Sequence, residues 1–214
     1  MIVRSITFFS LIAIASAAEP LKVFILAGQS NMQGHAKVET LQHLLIDEDS
    51  TVLKALMLDD AGEARTAKRT WIASLGSSNE PTSGRLTVGY GAGGRGLKIG
   101  PEYSCGLYLE SQLSGPILII KTAWGGKSLH TDFRPPSAGP YVFNEEQRAN
   151  MEKHSKSFKE TYTKKALATG IYYRQMIDYI KKTLENPAAI VPNYDVDAGY
   201  ELAGFVWFQG WNDQ

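Results

Sequence analysis

"VFILAGQSNMQGHA", residues 23–36, runs through five apolar or small residues, turns at Gly28, and continues polar through Gln29 and Ser30 without a break. A short, nearly unbroken apolar run of this kind reads as a strand covered on both faces, the habit of parallel sheets. Two further stretches repeat the pattern: "PILIIKTAWGG" at 116–126 and "LAGFVWFQG" at 202–210. All three end in polar turns rich in glycine: "GQSN" (28–31), "WGGKS" (124–128) and "QGWND" (209–213). Between them lie helical patterns. "PEYSCGLYLESQL" (101–113) opens with a proline in the first-turn position and offers Cys105, Leu107, Tyr108, Leu109 and Leu113 as a buried stripe. Residues 169–184 place Tyr173, Met176, Ile177, Ile180 and Leu184 at helical spacing. Helices between strands require crossovers, so the chain is expected to form an α/β layered fold with a parallel sheet.

The intervening segments are less regular. "VLKALMLDD" (52–60) suits a strand or a short helix, and "RLTVGYGAGGRGLKIG" (85–100) suits a strand running into a glycine-rich loop. Residues 144–165 are highly charged and read as a solvated helix or a surface excursion. Within the loop, "GAGGRG" (91–96) fits G-x-G-x-x-G. It does not open a helix directly after its strand, and no acidic residue ends a second strand at the required distance, so a substrate-side loop is the better reading.

With 214 residues the chain is of a size for one domain. Its start has the layout of a secretory signal peptide: Arg4, an apolar run over 6–14, then "ASAA" at 15–18. Cleavage after Ala17 or Ala18 would leave a single domain over 19–214, exported to the periplasm or beyond the cell. The apolar run is shorter than the roughly 20 residues a membrane span needs, and no later stretch qualifies. The 22 basic and 22 acidic side chains balance, and removal of the leader takes away Arg4 alone. Such balance gives no attraction to nucleic acid or to an acidic membrane. The single Cys105 excludes an internal disulfide and reads as a small buried apolar residue. No His or Cys pair stands at ligand spacing, so a structural zinc site is not expected, and no cofactor is expected either.

Ligands of open α/β sheets collect at the carboxyl ends of the strands, where all three polar turns would meet. There Ser30 either caps a helix or acts as a nucleophile, and the convergence of three turns favours the nucleophile. Such a serine needs donors for the oxyanion it generates. Gly125 and Gly126 allow a backbone N–H to approach a substrate, while Gln209 and Asn212 offer side-chain amides. Gln29, Asn31, Trp124, Gly125, Arg134, Trp211 and Asp213, in or beside the turns, are candidate substrate contacts. Trp71, Trp124, Trp207 and Trp211 either stack on sugar rings or fill the core, the core being favoured for Trp207. Arg134, in "TDFRPPSAGPY" (131–141), pairs with a substrate carboxylate or, as the better reading, with a local acid such as Asp132.

"FILAGQSNMQGHA" (24–36), "IGPE" (99–102), "KTAWGGKSL" (121–129) and "FVWFQGWND" (205–213), in that order, resemble the sialate O-acetylesterase domain, a carbohydrate-esterase branch of the SGNH hydrolases. The resemblance implies a three-layer α/β/α sandwich around a central parallel sheet, no metal, and removal of acetyl groups from sugar hydroxyls through an acyl-enzyme. It also implies Ser30 as nucleophile and Gly126 and Gln209 in the oxyanion hole, to which the amide of Asn212 in the same turn is added as a candidate from the residues alone. Two departures accompany it. Trp211 stands where the family often has Glu, so a carboxylate that orders this loop is expected to be missing. The family's D-x-x-H motif is also absent, which implies a C-terminally truncated chain lacking its last strands, with His130 the best-placed substitute base. A rival reading keeps the fold and drops the chemistry: a secreted, catalytically inactive carbohydrate-binding module.

Overall fold

The computed structural model describes residues 19–76, 80–94, 96–154, 158–210 and 212–213. The expected signal peptide at 1–18 and the side chain of Trp211 lie outside them. Strand β1 (Leu21–Gly28) is the "KVFILAG" run, and it is followed by the single-turn helix α1 (Ser30–Gln33) and the short β2 (Ala36–Lys37). Next come α2 (Thr51–Met57), β3 (Thr70–Gly76), β4 (Thr82–Arg85) and β5 (Lys98–Ile99). Helix α3 (Pro101–Gln112), strand β6 (Ile117–Ala123), helices α4 (Glu145–His154), α5 (Phe158–Ala168) and α6 (Ile171–Glu185), and strand β7 (Tyr200–Phe208) complete the order.

Five strands form one sheet in the order β4-β3-β6-β1-β7. β3, β6, β1 and β7 are parallel, and β4 alone runs antiparallel at the edge beside β3. β2 and β5 make a separate antiparallel pair. In β1, Ile25 sits between Ile120 and Phe205, which sets the register of the three site-bearing strands. Side chains alternate between two cores, as the twofold strand period requires. On one face Leu26, Ile72 and Ile119 pack with Tyr103 and Leu107 of α3 and Met57 of α2. On the other, Val23, Ile25, Leu118 and Ile120 pack with Met176 and Ile180 of α6. The result is the expected α/β sandwich, with a mixed, mostly parallel sheet. No described helix is long and apolar enough to cross a membrane.

Four details depart from the sequence reading. β3, "TWIASLG", is buried along most of its length yet carries no long apolar run. The strand near the glycine-rich loop is "TSGR" at 82–85, so "LTVG" that follows is loop. α3 buries Tyr103, Gly106 and Leu107, while Tyr108 is exposed and Cys105 only half-buried. The rotation follows from Gly106. A Cβ there would stand 2.2 Å from Leu86 Cδ2 and 2.7 Å from Ile119 Cδ1, so α3 rides on its glycine. Finally, β7 is not covered on both faces. Leu202, Phe205, Val206 and Phe208 are exposed, and among the described residues β7 pairs only with β1.

Candidate active site

The site is assembled where β1, β6 and β7 end. Gly28 closes β1 at φ 153°, and a Cβ there would lie 2.3 Å from the Phe208 carbonyl oxygen. Only glycine lets the two strand ends run so close. The chain then enters α1, and Ser30 Oγ donates to Gln29 Oε1 at 2.6 Å. Gln29 Nε2 in turn donates to Gly210 O at 2.7 Å, and Asn31 Nδ2 donates to Gln209 O at 3.1 Å. Gln29 is fully buried, which corrects its assignment as a substrate contact: its amide holds the serine turn to the end of β7. Asn31 is exposed but is committed to the same seam.

At the second turn, the Gly125 N–H donates to Gln33 Oε1 at 3.1 Å. A Cβ on Gly125 would stand 2.9 Å from that oxygen and 3.8 Å from Ser30 Cβ, so the absence of a side chain here keeps the ground beside Ser30 open. Gly126 adopts φ 74°, and its N–H has no hydrogen-bond partner among the described residues. Of the two glycines, Gly126 therefore keeps a free donor. Trp124 is only 2% exposed, its ring against Phe133 and Tyr172 with centroids 6.0 and 5.2 Å away. It points into the α6-side core and is no substrate wall. Trp71 is likewise core, and Trp207 packs edge-on against Phe133 at 4.8 Å.

The third turn reassigns two more residues. Gln209 Nε2 donates to Lys127 O at 2.8 Å and to Asp213 Oδ2 at 2.6 Å, so both amide hydrogens are engaged within the turn. Asp213 also accepts the N–H groups of Leu129 at 2.8 Å and His130 at 3.2 Å. Burial pushes its carboxyl upward, but these N–H donors, Gln209 and the nearby His130 hold it below the usual carboxylate value. The loop does have its ordering carboxylate: Asp213 supplies it, despite Trp211 at the Glu position. Asn212 is exposed, its carboxamide has no hydrogen bond among the described residues, and Nδ2 lies 3.9 Å from where a Gly126 Cβ would be. Gly126 and Asn212 are thus neighbouring donors without partners.

Arg134 grips backbone carbonyls, with Nε to Gly139 O at 2.8 Å, Nη2 to Ala138 O at 2.6 Å and Nη1 to His130 O at 3.4 Å. It closes its own loop and pairs with neither a substrate position nor Asp132, which accepts from the Ser128 N–H. His130 is exposed and packs edge-on against Tyr141, ring centroids 5.0 Å apart. Among the described residues no histidine hydrogen-bonds to Ser30. No cluster of three or more His, Cys, Asp or Glu side chains suited to a metal occurs among them either.

One buried ion pair escaped the sequence reading. Lys121, in the middle of β6, is 1% exposed, and Glu102 at the start of α3 is fully buried. Lys121 Nζ donates to Glu102 Oε2 at 2.5 Å and to the carbonyls of Gln33 and Tyr90, each at 2.9 Å. Glu102 Oε1 accepts the Gly100 N–H at 2.9 Å. The ammonium therefore fastens the end of α1 to the 86–97 loop and to α3. Burial lowers the Lys121 pKa and Glu102 opposes the shift. The available signal was a charge interrupting an otherwise apolar strand, with a Glu in "IGPE" to answer it.

Fold and turns together define an α/β layered protein that presents a serine at the carboxyl end of a central strand. The chain belongs to the family described as carbohydrate esterase, sialic acid-specific acetylesterase, whose model matches residues 20–214. No curated protein matches the chain. Among solved structures it is similar to a protein from Arabidopsis thaliana determined at 1.6 Å, with TM-score 0.38 and 15% identity over 89% of this chain and 58% of that one. It is also similar to a carbohydrate acetylesterase from Xanthomonas citri, with TM-score 0.38 and 14% identity over 89% of this chain and 33% of that one. The chain thus spans 58% and 33% of the lengths of these two relatives.

Proposed function

We propose that the chain carries the nucleophile and oxyanion donors of a serine-dependent carbohydrate acetylesterase, and that residues 1–18 direct its export. The observation that carries this reading is the family match over residues 20–214, with Ser30 at the end of β1 beside the side-chain-free Gly125. Ser30 Oγ attacks the acetyl carbonyl carbon while a base takes its proton, and the carbonyl oxygen becomes an oxyanion held by the Gly126 N–H and the Asn212 amide. Collapse breaks the ester bond, and the proton goes to the departing sugar oxygen. Water then attacks the acetyl-serine, releasing acetate and restoring the hydroxyl. The base replaces Gln29 as the partner of Ser30 Oγ, a term worth about a hundredfold to ten-thousandfold in rate.

The bond from Ser30 to Gln29, in place of one to a histidine, favours the second reading, a sugar-binding module without chemistry. A fluorophosphonate separates the two. Labelling mapped to Ser30, with acetate release from acetylated methyl xyloside lost in Ser30→Ala, supports the esterase. Absence of any labelling of Ser30 supports the module.

A further inference from the structure

Helix α1 is a single turn of four residues, and its N-cap Gln29 makes no side-chain capping bond to it. One turn fixes several dihedrals for a single backbone bond, so α1 takes its orientation from what anchors it. On the β7 side the anchors are Gln29 and Asn31. On the β6 side the anchor is Gln33, which is held three times. Its N–H closes the turn onto Gln29 O at 2.8 Å, its carbonyl accepts from Lys121 Nζ at 2.9 Å, and its Oε1 accepts the Gly125 N–H at 3.1 Å. Gln33 is only 6% exposed, so the bond to Gly125 forms where water competes little.

That bond spans the two halves of the chemistry. Ser30 opens the turn that Gln33 closes. Gly125 immediately precedes Gly126, whose N–H has no partner among the described residues. With the Gly125 N–H engaged, the 125–126 turn is pinned in the orientation that leaves the Gly126 N–H over. The approach is close, since a Cβ on Gly125 would stand 2.9 Å from Gln33 Oε1. A reacting carbonyl has to meet Ser30 Oγ and its oxyanion donor at once, and a misplacement of about 1 Å costs on the order of a hundredfold in rate.

We propose that Gln33 is a positioning residue: it touches no reacting atom, and through its bond to Gly125 it sets the Gly126 N–H against Ser30. The proposal rests on the serine-esterase reading and deepens it. The probe is an alkyl fluorophosphonate, from which Ser30 Oγ displaces fluoride, its proton leaving as hydrogen fluoride, while the phosphoryl oxygen stands where the oxyanion would. Gln33→Met keeps the length of the side chain and puts a thioether, a weak acceptor, in place of the amide. Its maximal labelling rate should fall about ten- to a hundredfold, with the half-saturating phosphonate concentration within about twofold of the parent's. Its Gly125 amide should also exchange with deuterium faster. Gln33→Glu keeps an acceptor oxygen at the same reach, and should regain both the Gly125 protection and a labelling rate several-fold above that of Gln33→Met. Tryptophan emission of both variants should match the parent's, which separates misplacement from unfolding. A maximal rate in Gln33→Met within about twofold of the parent's overturns the proposal, as does a loss confined to the half-saturating concentration or a Gln33→Glu no faster than Gln33→Met. In a parent whose Ser30 takes no phosphonate the esterase reading fails, and Gly125 exchange alone decides the tie. Protection lost in Gln33→Met and regained in Gln33→Glu upholds it, and protection indifferent to Gln33 overturns it.

Discussion

Replacing Lys121 by methionine tests whether its buried ammonium holds the serine turn. The substitution keeps the length of the side chain but strands a carboxylate, since Glu102 is fully buried and among the described residues retains only the Gly100 N–H as a partner. The carbonyls of Gln33 and Tyr90 lose a donor in the same stroke. Removing one partner of a buried ion pair costs about 3–5 kcal/mol, against a total stability of about 5–15 kcal/mol for a domain. Lys121→Met should therefore lose roughly a fifth or more of the folding free energy in urea titrations followed by tryptophan fluorescence. The double variant Lys121→Met/Glu102→Gln leaves no buried charge and keeps an acceptor for Gly100. It should recover most of the loss, because a buried pair replaced as a unit is often close to neutral. Lys121→Met within about 1 kcal/mol of the parent, or a double variant no more stable than the single, would refute the account of an uncompensated charge.

Three other outcomes follow from the geometry. Asp213 has a folded pKa below its unfolded value, so its contribution is present above the unfolded pKa and is lost as pH falls through the folded one. The amide resonances of Leu129 and His130 should shift together with a midpoint below the ordinary aspartate value of 3.8, and Asp213→Asn should abolish the titration; a midpoint above that value counts against the loop tie. Gly28→Ala forces a Cβ against the Phe208 carbonyl at a φ that L residues avoid, and should lower the melting temperature more than Gly93→Ala, where a Cβ meets nothing within 4 Å. Phe205, exposed on β7, should promote association, so Phe205→Lys should reduce concentration-dependent sedimentation; an unchanged profile removes that role.

The strands that carry the site were readable because β1, β6 and β7 are long apolar runs that stop at glycine, and α3 announced itself through Pro101. β3 was not, because Thr70, Ala73 and Ser74 dilute its apolar character although the sheet buries them all the same. The face of α3 was misread for a related reason: hydropathy gives no weight to Gly106, yet close packing puts that residue against the sheet. At the site, the meeting of three turns was legible and the duties within it were less so. Gln29 and Gln209 are amides in polar turns, as a ligand contact would be. Their partners, Gly210 and Lys127, lie 181 and 82 positions away, and no local pattern shows that a carbonyl will arrive there. Arg134 was read as a partner for a carboxylate, and it found three carbonyls of its own loop.

The seam between Gln29 and Gly210 also sets the order in which the molecule gives way. It joins the first strand of the domain to β7, which among the described residues pairs only with β1 and carries exposed side chains, while β3 and β6 lie deep in the sheet. Stability within a fold is graded, and a peripheral strand belongs to its weaker end. Opening of β7 alone would release Gln29, Asn31 and Gln209 from one another and free the Ser30 turn while both cores stay packed. Hydrogen exchange at 205–210 should therefore outpace that at 117–123.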